Sequence, residues 1–581
     1  MTNSDGLATL ALTGGKVLTV NECDEVAEAV AIRGDRIVAV GSDAAISAYI
    51  GPDTTRIDLA GRTVVPGLID GHAHMDREGL KSVLPSLAGV GSIDDILQRI
   101  AAEVGKAEPG DWIVMNPIGE PPEFGGYPEA LAEGRYPTRT ELDSVSPDNP
   151  VFIRPIWGYW RKTFPVVSIA NSAALERAGI GRETTAPVPS VQIDRDPLTG
   201  KPTGVFREWN KMPVVEFALM GCAPSFDVTT RTNALFESMR VYNSLGTTSV
   251  VEGHGVAADV LAAYQALAGQ GRQTVRATLS FSPAWDGVSG ADVTQLIASW
   301  GRWLAGTGLG DDWLRVQGIY SEADDSRERA LRAAGSPQTG WAGFNFDASL
   351  PREKLKPLLV ECARYGIRVT GILPHMLDLF REVDAEVPIS GQRWVFGHVT
   401  HLAADDIAAI LDLGLVITTH TSSFLYKGGL GLLDSVGAER ENEIVPLRAL
   451  VEAGVPVSFG SDNVPPSLFH SFWHAVARRE RSTGRVIGPQ QALTRAQALR
   501  CMTMGGAFLA LEERNKGSLE PGKLADLAVL TCDPLTCPED DLRHIRADLT
   551  VVGGKVVHAS APNSGAAGVG ISSKPGAVVG V

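Results

Sequence analysis

Short segments with alternating polarity occupy both ends of the chain. Residues 9–65 alternate apolar and polar positions, as in ALTGGKVLTV and AEAVAIRGDRIVAVG, with Gly-Asp and Gly-Arg pairs as punctuation. The pattern returns near the other end, in GSLEPGKLADLAVL and ADLTVVGGKVVHA. Alternation with a period of two predicts strands, and the glycine pairs predict turns between them. We therefore predict one small composite β-sandwich domain built from residues 1–65 and 515–560.

The middle of the chain has a different rhythm. Compact apolar runs such as GTTSVVEG, LRVQGIY and GVPVSFGSD recur, with helix-like stretches such as PREKLKPLLVECARYG between them. Repeated strand–helix alternation predicts a parallel sheet. When TVVPGLIDGHAH is counted as the first strand, the strands number eight, which is the number that closes a barrel. We predict an α/β fold, with a (β/α)8 TIM-like barrel over residues 66–514.

Two stretches depart from this rhythm. Residues 80–220 lie between the first and second predicted barrel strands and are rich in Pro, Gly and Trp. We predict that they form an inserted cap subdomain over the barrel mouth. Residues 561–581 are rich in Gly, Ala and Ser, a composition that predicts a flexible tail.

Two histidines follow the first predicted barrel strand. His72 and His74 are two residues apart, so on a strand both imidazoles point to the same face. The end of the strand lies at the C-terminal mouth of the barrel, where barrel enzymes build their sites. Two imidazoles on one face suit a divalent metal such as zinc. An H-x-H motif also arises by chance, but its place directly after an apolar strand favours metal ligation.

Other ionisable side chains follow predicted strands and therefore face the same mouth. Asp462 follows GVPVSF, where a carboxylate can ligate a metal, take a proton from water, or do both. Its alternative is a turn or helix N-cap aspartate. His398 follows RWVFG, and its alternative is an ordinary loop histidine. Weaker candidates for contact with substrate are Glu252, His254, Tyr320 and His420.

The composition excludes several classes of protein. A net charge of −16 argues against a nucleic-acid partner, because phosphates require a basic surface. We find no signal-peptide pattern near residue 1, and no apolar run is long enough to span a bilayer. Six cysteines in 581 residues do not form a disulfide framework, which predicts a reducing cytoplasm. The expected partner is a small-molecule substrate, without nucleic acid or membrane, and the expected assembly is a homo-oligomer such as a dimer.

Four motifs resemble those of the amidohydrolase superfamily: PGLIDGHAH, RWVFGH, PLRALVEAGVPVSFGSD and KGSLEPGKLADLAVL. The resemblance covers about residues 9–558 and is strongest to the amidohydrolase family 3 branch, which includes N-substituted formamide deformylase-like enzymes. It implies a (β/α)8 barrel with a composite β domain. It also implies that His72 and His74 are metal ligands. In the same way, it implies that His398 is the sixth-strand histidine and that Asp462 is the eighth-strand aspartate. Glu208, in GVFREW, stands where this branch has a glutamate, and it either reaches the site from the cap or is a surface carboxylate.

Three departures limit what the resemblance implies. Members with two metals carry a carboxylated lysine at the end of the fourth strand, where this chain has Tyr320, and a phenol cannot form the carbamate. The fifth-strand histidine position falls on Ile372, so that His375 either replaces that ligand or the site lacks it. In the insertion, Val166 stands where the branch keeps a histidine on the substrate side.

These departures predict a single divalent metal, most simply one Zn²⁺, with Mn²⁺ or Fe²⁺ as alternatives. His72, His74 and Asp462 supply three ligands, with His398 or His375 as a fourth, which leaves a position for water. Asp462 would carry the proton of this metal-activated water to the leaving nitrogen, and His398 would stabilise the oxyanion. We predict hydrolysis of an amide-type, non-peptide C–N bond in a small organic molecule. The alternatives are a mononuclear-metal decarboxylase, a lactone or ester hydrolase, and a non-catalytic scaffold.

Overall fold

The structure, a computed structural model, describes residues 6–161, 163–285, 290–335, 341–560 and 570–572. Its centre is a nearly closed barrel of eight parallel strands, each paired with the next in the chain. In chain order these strands, β1 to β8, are Leu68–Ala73, Thr247–Val256, Arg276–Phe281, Leu314–Tyr320, Val369–Gly371, Val395–Phe396, Val416–Thr419 and Val457–Phe459. The predicted α/β barrel is therefore confirmed.

Helices follow the barrel strands and bury their apolar faces. In Arg352–Arg364, the buried residues Leu355, Leu358, Leu359 and Cys362 have the spacing of one helix face. They belong to a large apolar cluster that also contains Trp394 in the loop before β6. The helices of the barrel region are Met75–Glu78, Val228–Ser244, Ala258–Gly269, Gly290–Leu304, Arg327–Gly335, Arg352–Arg364, Met376–Asp384, Ala404–Asp412, Gly429–Val436, Leu447–Glu452, Leu468–Ala477, Arg495–Cys501 and Met504–Leu509.

The first and last barrel strands are joined through a buried carboxylate. Asp70, in β1, accepts hydrogen bonds from the backbone N–H groups of His72 at 3.1 Å and Ser461 at 3.0 Å, and from the Ser461 hydroxyl. The backbone N–H of Asp462 donates to the His72 carbonyl at 2.9 Å. A Cβ at position 460 would lie 2.3 Å from the Cβ of His72, so this close approach requires Gly460. The strand ends that carry the polar residues are thus held together.

The stretch between β1 and β2 contains a sheet of its own. Its strands, in spatial order, are Val191–Arg195, Pro202–Glu208, Val166–Ala170, Val151–Ile153 and Ile113–Met115. Its helices are Ile93–Val104, Arg139–Val145, Gly158–Arg161 and Ser172–Arg177. Ile96, Ile100, Leu142 and Val151 are buried together in an apolar cluster of this stretch. The bounds of the cap subdomain, 80–220, stay a prediction.

Two further sheets combine strands from both ends of the chain. One contains Lys555–Ala559, Ala547–Val552, Leu527–Leu530, Thr63–Pro66, Lys16–Leu18 and Val26–Ala27. The other contains Gly570–Ser572, Thr55–Asp58, Leu10–Thr13, Ala29–Arg33 and Arg36–Gly41. Val30, Val64 and Val529 are buried in one apolar cluster, which joins the two ends of the chain. Apart from Gly570–Ser572, the predicted tail 561–581 lies outside the described residues.

Short elements complete the fold. Two-residue strands pair Glu322–Ala323 with Ser349–Leu350, and Leu309–Gly310 pairs with β4. A short helix, Asp43–Ile46, packs on the terminal sheets, and π-helical turns lie at Val215–Leu219 and Ser422–Lys427. All six cysteines are free. Within the described ranges, no helix has both the length and the apolar character needed to cross a membrane.

Candidate metal centre

Five histidines and one aspartate come together at the carboxyl ends of the barrel strands. His72 lies in β1 and His254 in β2. The others follow the ends of β1, β6, β7 and β8, in that order: His74, His398, His420 and Asp462. All six are buried, and the centroids of neighbouring imidazole rings are 4.5 to 5.5 Å apart. The ends of parallel barrel strands meet at one mouth, so residues nearly 400 positions apart in sequence become neighbours.

The carboxylate of Asp462 faces three imidazoles. Its Oδ1 lies 3.0 Å from Nε2 of His74 and 3.9 Å from Nε2 of His72. Its Oδ2 lies 3.3 Å from Nδ1 of His420. Nε2 of His72 is also 3.2 Å from Nε2 of His398. The four residues with the strongest prediction from sequence are therefore brought together, and His420 joins them.

Tight backbone turns direct two of these side chains. His398 has φ of 50° and Asp462 has φ of 54°, and Asn463 follows with φ of 47°. Residues other than glycine rarely adopt this left-handed conformation, and such strained residues cluster at functional sites. The Asn463 side-chain amide donates to the carbonyl of His74 at 3.1 Å, which ties the end of β8 to the end of β1.

The donor set fits a divalent metal. His72, His74 and His254 offer ring nitrogens that all lie within 4.8 Å of one another. Within the described part of the chain, neither buried nitrogen of His254 has a hydrogen-bond partner, a situation that is costly unless a ligand satisfies it. Burial lowers the pKa of His72 to about 4 and holds the pKa of His74 and His254 well below the usual value. The three imidazoles are therefore neutral at physiological pH, as metal ligation requires.

The backbone of β2 brings His254 into this group. A Cβ at position 253 would lie 2.5 Å from three atoms of the His72 ring, so only glycine lets that ring pack against β2. Glu252, on the other side of Gly253, is also buried. The segment VVEGHG thus gives β2 a larger share of the site than its weaker prediction suggested.

Glu252 lies behind His74, on the side away from Asp462. Its Oε2 is 3.9 Å from Nδ1 of His74, and its Oε1 accepts hydrogen bonds from the Tyr264 hydroxyl and, at 3.3 Å, from the Asp76 backbone N–H. Burial raises the pKa of both Glu252 and Asp76. His74, Asp76 and Glu252 form a second group with ligand atoms within 4.8 Å of one another. A carboxylate behind a ligating imidazole commonly fixes the orientation of its ring.

His375 is not brought into the histidine group, which corrects the expectation that it replaces the fifth-strand ligand. Its Nε2 lies 2.7 Å from the carbonyl oxygen of Ala323, and the residue is exposed at the start of Met376–Asp384. Ile372 occupies the fifth-strand position and is buried. His375 and His398 do line one cavity of about 290 Å³, which opens at the protein surface.

Glu208 is buried in the inserted sheet, so the surface alternative is wrong. Its Oε2 accepts hydrogen bonds from the backbone N–H groups of Val214 at 2.5 Å and Val215 at 3.1 Å. Burial raises its pKa to about 7. The carboxylate therefore anchors the turn Val215–Leu219, and its contact with substrate stays a prediction.

Tyr320 ends β4 beside the histidines. Its ring centroid is 5.7 Å from that of His254 and 5.9 Å from that of Phe344. Glu322, two residues later, accepts hydrogen bonds from the backbone N–H groups of Ile372 and, at 3.3 Å, Leu373. Its carboxylate is therefore engaged at the end of β5.

Three residues at or near the site were not predicted from the sequence. Asp70 shares the face of His72 on β1, and the period of two in LIDGHA was the signal for it. Burial raises its pKa to about 6 despite the hydrogen bonds from Ser461. Arg77 and Phe344 had no signal, because the guanidinium group of Arg77 meets the rings of Trp157 and Phe344 only in the folded chain.

The chain is similar in sequence to known proteins over most of its length. The profile of the amidohydrolase family matches residues 55–558. The chain is 26% identical over 561 residues to N-substituted formamide deformylase from Arthrobacter pascens, with 94% of this chain and 97% of that enzyme covered. It is 26% identical over 587 residues to Protein LONG AFTER FAR-RED 3 from Arabidopsis thaliana, with 95% and 92% covered.

A solved structure has the same fold. An uncharacterized metal-dependent hydrolase from Pyrococcus horikoshii OT3 superimposes with a TM-score of 0.66 and 21% sequence identity. The superposition covers 91% of this chain and 99% of that one. At this level of identity, the likeness shows the shared fold alone.

Proposed function

The chain belongs to the amidohydrolase family of metal-dependent hydrolases, and from that premise we propose that it hydrolyses an amide-type C–N bond of a small organic molecule. The observation that carries the proposal is the group of three buried imidazoles with the carboxylate of Asp462 3.0 Å from one of them. The formamide deformylase among its relatives supports a C–N bond as the target.

The proposed metal ligands are His72, His74, His254 and Asp462. His254 takes the place that His398 or His375 was expected to fill, because its ring nitrogens are buried and lack protein partners among the described residues. We propose one divalent ion, most simply zinc, whose ligands in proteins are imidazoles and carboxylates. Such an ion, when bound, acidifies a water molecule and polarises a carbonyl group.

A single ion is supported by what surrounds the cluster. Tyr320 cannot form the bridging carbamate, and Glu322 is engaged by backbone N–H groups of the β5 end. Glu252 is engaged by the Tyr264 hydroxyl and, at 3.3 Å, by the backbone N–H of Asp76. We therefore assign Glu252 the task of orienting His74 rather than of holding a second ion.

The remaining residues move the proton and hold the substrate in place. Water adds to the acyl carbon, Asp462 accepts the proton that the water loses, and the same carboxylate delivers it to the nitrogen as the C–N bond breaks. His420, 3.3 Å from Oδ2 of Asp462, orients that carboxylate. We assign to the His398 imidazole, whose Nε2 lies 3.2 Å from Nε2 of His72, a hydrogen bond to the developing oxyanion.

Matched histidine variants test the ligand set. His254→Ala should lose bound metal, whereas His375→Ala should keep it, because the His375 ring bonds to the carbonyl of Ala323 instead. The measurement is metal content per chain by elemental analysis of both purified variants. Full metal occupancy in His254→Ala would remove His254 from the proposal.

A substrate panel tests the reaction. The metal-loaded protein should release amines from N-substituted formamides, ureas or anilides. Turnover restricted to lactones and esters, or loss of CO₂ from carboxylic acids, would point to the alternative chemistries. A full complement of metal without turnover of any compound would favour the scaffold.

A further inference from the structure

Three buried cationic side chains border the histidine cluster, although the chain as a whole carries a net charge of −16. Arg77, Lys81 and Lys427 have side chains that are only 5%, 7% and 3% exposed. Arg77 stands three residues after His74, and the Lys427 charge acts on Asp462. Burial of a charge is costly unless an acceptor meets it, so each of the three requires a partner.

Both lysines have acceptors within the protein. Lys81 Nζ donates to the Glu78 carboxylate and, at 2.8 Å, to the carbonyl of Asn463. Lys427 Nζ donates to the carbonyl of Trp160 at 2.5 Å, and a Glu123 oxygen lies 3.6 Å away. These two cations are therefore explained by the fold.

Arg77 has no such acceptor among the residues that the structure describes. Its nearest carboxylate oxygen, Oδ1 of Asp76, is 3.7 Å from Nε, which is too long for a hydrogen bond. None of its five N–H groups has an acceptor in the described ranges, and Nε is fully buried. Its guanidinium carbon lies 5.6 Å from the Trp157 ring centroid and 5.4 Å from that of Phe344. The rings position the guanidinium group without satisfying its donors.

One ring connects this guanidinium group to the metal centre. Phe344, which Arg77 contacts, has its centroid 5.5 Å from His254 and 5.9 Å from Tyr320. The rings of Trp157 and Phe344 are in edge-to-face contact, with their centroids 6.4 Å apart. Buried aromatic rings thus connect the proposed metal ligand His254 to the guanidinium group of Arg77, and such rings suit a flat or apolar ligand with an anionic end.

We propose that Arg77 binds an anionic group of the substrate, and that the substrate class is therefore small amides that carry a carboxylate or similar anion beside an apolar or aromatic part. The inference rests on the proposed function, because the metal centre supplies the site of cleavage. A guanidinium group recognises a carboxylate or sulfonate through two parallel hydrogen bonds, which a lysine cannot reproduce. The rival explanation is that Arg77 only offsets the charges of Asp76 and Glu252.

Binding of a matched pair of ligands tests the proposal without any turnover. Benzenesulfonate and phenyl methyl sulfone share a ring and a similar shape and differ in charge, and a sulfonate is a weaker metal ligand than a carboxylate. Calorimetric titration of the metal-loaded protein should show a preference for the anion of about tenfold or more. Arg77→Gln should abolish that preference at unchanged metal content, and Arg77→Lys should retain only part of it.

Arg231→Gln is the matched control. Arg231 is another buried cation, 3.4 Å from Asp259, and it lies over Phe226 instead of Trp157 and Phe344. This variant should keep the preference for the anion, whereas the rival explanation predicts similar changes in both arginine variants. If Arg77→Gln fails to fold, the parent protein and Arg77→Lys decide the question.

The outcomes separate this inference from the proposed function. Equal affinity of the parent protein for the two ligands, no binding of the sulfonate, or an unchanged preference in Arg77→Gln would overturn the role of Arg77. A clear preference that depends on Arg77, in a protein that cleaves no C–N bond, would leave the anion site standing and reject the amide reaction.

Discussion

Asp462 is the residue on which the proposed chemistry depends most directly. Its two oxygens lie 3.0 to 3.9 Å from nitrogens of His74, His72 and His420, so it can hold metal and carry a proton at once. Asp462→Asn keeps an oxygen that can ligate but removes the proton acceptor. We expect turnover to fall by about 10² to 10⁴ while substrate binding changes little.

Steady-state kinetics of the metal-replete Asp462→Asn variant, with kcat and KM determined separately, provide the measurement. Metal content has to be determined on the same sample, because loss of metal would also abolish turnover. A kcat within a few-fold of the parent value would move the base role to another carboxylate, and Glu252 would be the first to examine.

Residue-level inference from sequence succeeded where the chemistry is local to a strand end. His72, His74, His398 and Asp462 each follow an apolar run directly, so the barrel rule was enough to bring them together. The prediction that His375 joins the metal ligands was wrong, because the short strand Val369–Gly371 leaves the path of the next loop to be decided by tertiary packing. Arg77 could not be recognised, since an arginine without acceptors is visible only after the chain has folded.

At the scale of elements, the buried carboxylate of Asp70 provides several of the hydrogen bonds that join β1 to β8. Asp70→Ala would leave two backbone N–H groups and the Ser461 hydroxyl without their acceptor in a buried place. Each such loss costs roughly 1 to 3 kcal/mol, so we expect the free energy of unfolding to drop by about 3 kcal/mol or more. Metal affinity should fall as well, because His72 and Asp462 stand on the two sides of this junction.

Urea unfolding of the parent protein, Asp70→Ala and Asp70→Asn would measure this effect. The asparagine variant keeps one acceptor oxygen and should lose less stability than the alanine variant. Equal stability of Asp70→Ala and the parent protein would show that β1 and β8 are held by other contacts.

A second prediction at this scale concerns pH and the inserted sheet. Glu208 ends the strand Pro202–Glu208, and burial raises its pKa from 4.5 to about 7. A carboxyl group with a raised pKa in the folded state contributes stability that is present below its unfolded pKa and lost as pH rises through the folded pKa. The contribution of Glu208 should therefore disappear between about pH 4.5 and pH 7, by on the order of 3 kcal/mol.

The matched variant is Glu208→Gln, which keeps an acceptor for the N–H groups of Val214 and Val215 but cannot ionise. Denaturant unfolding at several pH values should show the variant gaining on the parent protein as pH rises from 4.5 to 7. Parallel stability profiles over this range would contradict the assignment of a raised pKa to Glu208.

The elements themselves were predictable to different degrees. Long β2, with its ten buried residues, and the alternating terminal strands were evident from sequence, because burial pattern and periodicity are local properties. The order of strands in the inserted sheet was not, since Ile113–Met115 and Val151–Ile153 are three-residue strands whose pairing depends on packing with distant segments. The position of Glu208 at the end of the strand Pro202–Glu208 was ambiguous for the same reason.

At the scale of the whole molecule, the metal centre is where several parts of the chain are joined. Its proposed ligands come from β1, from β2 and from the loop after β8, positions separated by nearly 400 residues. One of the sheets formed by both chain ends adjoins the amino end of β1, because its strand Thr63–Pro66 leads directly to β1 and pairs with Leu527–Leu530. An event at the metal centre should therefore affect the unfolding of the entire barrel.

We accordingly expect metal to stabilise the folded chain as a linked ligand. An ion that binds only the native state stabilises it by about 4 kcal/mol when its free concentration is 1,000 times its dissociation constant. Removal of metal also returns the buried His254 nitrogens to a state without partners among the described residues, which is costly in itself.

Thermal unfolding with and without a chelator should show a lower Tm for the metal-free parent protein, with recovery when zinc is restored. His375→Ala should show the same recovery, whereas His254→Ala should show little. An unchanged Tm of the parent protein, after the metal has been shown to leave, would mean that the ion does not connect these strands. The barrel mouth would then be held by protein contacts alone, among them those of Asp70.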